Sequence, residues 1–176
     1  MYEIRVALRK LILDEWTPAE SLGLGLAATD SGEDDIAVSL GGSPDEELPY
    51  PQITIRGAGG SGGVRGLKGT GRGFVNQYDG RADIQVWAGS YQTLPPSFEA
   101  SGQRYDPQEA GSKIGTQVRD IVQEEYLGVP DPDSSTGDTL TTDLRALSFP
   151  FILQDPDMGP EPYYYATVET GYRIRA

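Results

Sequence analysis

Cysteine and histidine are both absent from the 176 residues, and lysine occurs only at Lys10, Lys68 and Lys113. Without cysteine there are no disulfides, thiolate ligands or thiol nucleophiles. Without histidine there are no imidazole ligands, no Ser-His dyad, and no side chain naturally suited to moving protons near neutral pH. Little ordinary enzymology survives that subtraction. Carboxylates are plentiful, but an acid/base pair needs two of them facing each other in a cleft, and no local spacing picks out such a pair. No apolar run approaches the roughly 20 residues a membrane helix needs, and Met1 opens into charged, periodic sequence rather than a signal peptide. A soluble, unexported, non-enzymatic chain is expected, with no membrane partner, metal or cofactor.

Acids outnumber bases by 27 to 14, for a net charge of −13, and with three lysines the other eleven bases are arginines. A nucleic-acid-binding domain displaces counterions from phosphate with a basic face, and this balance opposes it. Two readings of the skew remain. One is an ordinary acidic protein. The other is adaptation to molar salt, where the Debye length falls to about 3 Å and self-repulsion is screened. Abundant Asp, scarce Lys and absent Cys favour a halophilic source.

The chain is long enough for one domain and too short for two comfortable ones, so 1–176 is expected to fold as a single unit. Ile4, Leu8, Leu11, Ile12 and Trp16 recur at helical spacing and predict an amphipathic helix over 2–16, ended by Pro18 and followed by an acidic linker to Asp35. "DIAVSL", "QITIRG" and "RADIQVWAG" alternate as strands; Ile84, Val86 and Ala88 share one face, and Trp87 lies opposite with Gln85. A tryptophan so placed is either covered by a neighbouring element or used as a subunit contact. Asp106 and Pro107 open a second helix whose stripe runs through Ala110, Ile114, Val118, Ile121, Val122 and Tyr126 to Gly128. "TTDLRALSFPFILQ" reads as extended and bent at Pro150, and "YYYATVETGYRIRA" alternates Tyr163, Tyr165, Thr167 and Glu169 against Tyr164, Ala166 and Val168. The expected fold class is α+β: a mostly antiparallel sheet of about five strands with two amphipathic helices on one face, plus long Gly-rich and acidic loops.

Two segments invite ligand readings. GAGGSG (57–62) has the G-x-G-x-x-G spacing, but further glycines at 63, 66, 69, 71 and 73 replace the helix that would hold a phosphate. Lys68 is followed by Gly69 and Thr70, which breaks the Walker A pattern as well. The acidic loop 128–139 places Asp131, Asp133 and Ser135 at calcium-loop positions 1, 3 and 5, then offers Thr136 and Thr142 where glycine and glutamate belong. A calcium-binding or carboxylate hydrolase module is the alternative this loop keeps open.

The order of parts, with "YPQITI" (50–55), "ADIQVWA" (82–88) and "TGYRIR" (170–175), resembles the tail terminator proteins of long-tailed viruses. The resemblance spans Tyr2 to Arg175, and it is shared with other neck and tail components such as stoppers, tail-completion proteins and tube subunits. It implies a virion protein assembled in the host cytoplasm, here in a haloarchaeon. The protein would be a hexameric ring that caps the tail tube, halts its polymerisation and meets a head-side stopper or adaptor, with DNA only as cargo passing through the lumen. On that reading a Gly-rich basic loop over 57–78, carrying Arg65, Lys68 and Arg72 and no acid, is expected at a subunit or tube interface together with Trp87, Tyr163 and Tyr165.

Overall fold

The computed structural model describes residues 2–17, 26–30, 35–65, 75–89, 99–100, 103–104, 106–125, 128–129, 131, 140–141, 143–147, 151–155 and 163–175. In chain order the elements are α1 (Tyr2–Glu15), β1 (Ala28–Thr29), β2 (Ile36–Leu40), β3 (Gln52–Arg65), β4 (Val75–Gly89), β5 (Glu99–Ala100), β6 (Gln103–Arg104), α2 (Pro107–Glu124), β7 (Asp143–Ala146), β8 (Phe151–Asp155) and β9 (Tyr163–Arg175).

Both helices form where the apolar periodicity places them. In α1 the stripe of Ile4, Ala7, Leu8, Leu11 and Ile12 is buried, and Arg9 on its flank donates to the Val38 carbonyl and to Asp30, each at 2.7 Å. Beyond its end the Trp16 indole N–H donates to the Leu26 carbonyl at 3.0 Å, which ties the returning chain to the helix. At the start of α2 the Asp106 carboxylate accepts from the Gln108 amide at 2.9 Å, and Pro107 occupies a position whose amide would have no helical acceptor. The helix ends at Glu124, short of Gly128, with the Glu125 amide still bonded to the Ile121 carbonyl, and Gly128 turns the chain at φ 139°. Of the expected stripe, Ala110, Ile114, Val118, Ile121 and Val122 are buried, while Tyr126 lies outside the described residues. Among the described residues no helix is long and apolar enough to cross a membrane.

The main sheet has seven strands in the order β1-β2-β3-β4-β9-β7, with β8 also paired to β9; β5 and β6 form a separate small pair. Pairing is antiparallel from β3 across to β7 and β8, but β1, β2 and β3 run parallel. The α+β architecture agrees with expectation, with more strands than about five and a parallel edge. Register builds the core. Val38, Ile53, Val86 and Ala166 stand side by side across four strands, and Leu40, Ile55, Ile84 and Val168 form the next row. Both helices cover these rows, so the apolar face of the sheet and the stripes of α1 and α2 make one core. Complete burial of a side chain this size stabilises by roughly 1.5 to 3 kcal/mol relative to exposure.

The parallel step from β2 to β3 runs through residues 41–51 with no helix between. The buried Gln52 side chain holds this loop: it accepts from the Asp45 amide at 2.8 Å and donates to the carbonyls of Asp45 and Leu48 at 2.7 and 3.0 Å. One side chain thus satisfies three backbone groups of the segment that lets β3 restart beside β2.

Within 57–78, expected as a loop, residues 57–65 and 75–78 are corrected to strand by the pairing, while 66–74 lie outside the described residues. Strand β3 continues to Arg65 and β4 begins at Val75, and the two are in register from Gly59↔Arg81 to Arg65↔Val75. Glycine weakens a strand but leaves its amide and carbonyl in place, so the backbone ladder persists without side-chain alternation. The register shifts between Gly57 and Gly59, where Gly59 takes φ 94°, a conformation that glycine adopts without penalty. At the other expected loop, Val129 accepts from the Leu140 amide and donates to Thr141 Oγ1, both at 2.8 Å. Residues 132–139 lie outside the described residues.

Candidate interaction surface

The face of the sheet turned away from the helices divides into two regions. Near the start of β3, the register brings Gln52, Trp87 and Tyr165 into one row and Thr54, Gln85 and Thr167 into the next. Trp87 therefore faces away from the helical core, as its alternation predicts, yet it is only 4% exposed. Its indole N–H donates to Thr54 Oγ1 at 3.0 Å, and its ring stacks on Tyr165 at 4.7 Å between centroids and 27° between planes. Of the two readings of Trp87, the covered side chain describes this chain and the exposed subunit contact does not. Tyr165 is half-buried by the same stack.

Further along, the face is charged. Arg56, Asp83 and Glu169 share a row, as do Asp79, Arg173 and Asp143. Arg56 pairs with Asp83 at 3.0 Å, Arg173 with Asp79 at 2.7 Å, and Arg145 with Asp143 at 2.8 Å. The hydrogen bond from Arg173 to Asp79 raises the guanidinium pKa further, with the charges of Asp79 and Asp143 adding to it. Exposed pairs of this kind contribute little to stability, because solvent screens them and holding two long side chains together costs entropy. Their larger effect is on the surface potential, since alternating signs cancel over this face in a chain that is strongly acidic elsewhere.

On the helix side of this same end, Tyr172 faces Gly80 across the β4–β9 ladder. A β-carbon at residue 80 would come within 2.3 to 2.6 Å of the phenol end of the tyrosine ring, so glycine there is what makes room for Tyr172 on the strand. Tyr78 stands beside it with centroids 6.2 Å apart. Burial pushes the Tyr172 hydroxyl from the usual 10 up to about 12, and Tyr78 adds to the shift; the oxygen has no hydrogen-bond partner of good geometry.

Beyond the bulge the β3–β4 pair continues in the sheet, with β4 still paired to β9 as far as Gln77↔Arg175. Arg65 ends β3 opposite Val75, while Lys68 and Arg72 fall in 66–74, outside the described residues. Tyr163 begins β9 opposite Asp155, at the far end of the sheet from Arg65, so these two candidate contact residues do not share a patch. What sequence reasoning missed is the ion-pair rows: Asp79, Asp83, Arg173 and Glu169 stand out only once three strands are in register. Among the described residues no three His, Cys, Asp or Glu side chains gather where they could hold a metal ion. Of the calcium-loop positions Asp131, Asp133 and Ser135, only Asp131 is described, and it is half-buried. No protein-family model matches this chain, and no curated protein matches it.

Proposed function

We propose that the chain is a structural virion protein that forms a ring at the head-tail joint of a long-tailed virus, caps the tail tube and stops its polymerisation. One observation carries this reading. The three stretches that resemble tail terminators, 50–55, 82–88 and 170–175, fall on β3, β4 and β9, which are direct neighbours in the sheet. Stretches scattered along the chain thus belong to one structural unit, as expected if the resemblance reflects a shared scaffold.

Such a protein acts by shape: one face copies the interface of the last tube ring, and the other offers no site for another. The task calls for a rigid sheet and a set of contact loops, and for no proton or group transfer. The test is assembly. Purified chain in about 2 M KCl should sediment as a closed oligomer, six copies being expected, and should halt elongation when added to polymerising tube protein. A monomer that leaves tube growth unchanged overturns the proposal.

A further inference from the structure

We infer that the free edge of β3 over Gly60–Arg65 receives an extended segment from a second copy of this chain, so that neighbouring subunits in the proposed ring join by strand addition. The inference rests on the ring reading for the identity of the partner, and on three observations for the site.

The first is the pairing inventory. From Gln52 to Ile55, β3 is flanked by β2 and β4, but the last pair with β2 is Leu40↔Ile55, and the Gly41 amide donates to the Ile55 carbonyl at 3.0 Å just where β2 ends. From Arg56 onward β3 is paired on the β4 side alone among the described residues. An unpaired edge presents a row of amides and carbonyls that a further strand can satisfy. The bulge at Gly57/Gly59 interrupts the row and leaves Gly60–Arg65 as its regular part.

The second is how little obstructs this edge. Natural sheets guard exposed edges with lysine, proline, inward charges or very short strands. Residues 60–64 are Gly-Ser-Gly-Gly-Val, with neither proline nor charge before Arg65. Glycine backbone lets another strand approach without side-chain interference.

The third is charge. No acid occurs between Glu47 and Asp79, a span that holds Arg56, Arg65, Lys68 and Arg72, in a chain whose net charge is −13. Two copies of this edge laid against each other would bring no acid to the bases of either, so a two-fold dimer through β3 gains no charge complementarity. Against the acidic surface of a copy presented in a different orientation the charges are complementary. The contact is therefore heterologous, the arrangement that generates rings when its rotation closes.

Amide hydrogen exchange read alongside the sedimentation mass tests the site. In the assembled protein, the outward amides of 60–65 should exchange at least 100-fold more slowly than in protein diluted until it dissociates. An assembled chain whose 60–65 amides exchange as in the dissociated state overturns this inference and leaves the ring reading standing. A chain that is single at every concentration removes both. Ala58, exposed beside the bulge, supplies a check on charge. Ala58→Asp should weaken assembly at least tenfold at a salt concentration where the native chain assembles, while Ala58→Lys should not. Equal loss in both variants, with native circular dichroism, overturns the charge argument and with it the acidic surface as partner.

Discussion

Tyr172 shows how one side chain joins packing to titration. Its ring covers Gly80 and its hydroxyl is buried without a partner of good geometry. An unbonded buried hydroxyl does not stabilise a fold, so Tyr172→Phe should leave stability at neutral pH unchanged or raise it by up to about 1 kcal/mol. The difference lies at high pH. The folded chain holds the phenol proton up to about 12, whereas the unfolded chain releases it near 10. Below that window both states are neutral and the stability it contributes is fully present. As the pH rises through it, the unfolded state ionises first and stability falls. Urea midpoints at about pH 9 and about pH 11.5 should separate for the native chain and separate less for the Phe variant, the unfolded state releasing its proton first only where the phenol is present. Identical pH dependence in the two proteins would show that this phenol is not held neutral by the fold. Gly80 has the converse role: its missing side chain is the space in which that ring lies.

At the scale of elements, legibility followed side-chain periodicity. Both helices were readable because Leu8, Ile12, Ile114 and Val118 repeat at helical spacing and the Asp106-Pro107 pair marks a start with a physical cause. The cores of β2, β3, β4 and β9 were readable because Ile53/Ile55, Ile84/Val86 and Ala166/Val168 alternate. Where pairing rests on backbone alone the signal vanished. Half of residues 60–65 are glycine and no apolar alternation survives there, so the outer half of β3 reads as loop, and β1, β5 and β6 are two residues each, too short to show a period. The parallel direction of β1-β2-β3 depends on the path of residues 41–51 and on Gln52 gripping Asp45 and Leu48, which no local pattern announces. The candidate contact residues were legible only as types: Trp87 was correctly assigned to a face and proved to be covered, and Lys68 and Arg72 lie outside the described residues. Their role can be tested by shortening the end of the β3–β4 hairpin. Replacing residues 64–76 by an Asn-Gly turn closes the hairpin at the Gly63↔Gln77 pair and keeps every pair between β4 and β9. The shortened chain should keep its helix content and cooperative melting and, on the proposed function, lose tube capping. Full capping by this variant would remove Arg65, Lys68 and Arg72 from the interface.

For the whole molecule the governing quantity is the charge of −13, repeated in every copy of an assembly. The ion-pair rows neutralise only the sheet face; Asp14, Glu15, Asp45, Glu46 and Glu47 remain exposed. At about 2 M KCl the screening length is only a few ångströms, and the chain should be folded and assembled; toward about 0.1 M it reaches about 10 Å and repulsion between copies grows. Sedimentation and circular dichroism across that range should show loss of assembly first and loss of compactness after it. A mass and spectrum that stay constant would set aside adaptation to high salt.

Strand β9, which the ribosome delivers after all the other strands described, is seated between β4 on one side and β7 and β8 on the other. Until translation reaches Tyr163, β7 and β8 have no place in the sheet, and β4 keeps a bare flank in the nascent polypeptide. Synthesis is thereby coupled to folding: a product cut short before Tyr163 lacks the strand that joins the two halves of the sheet.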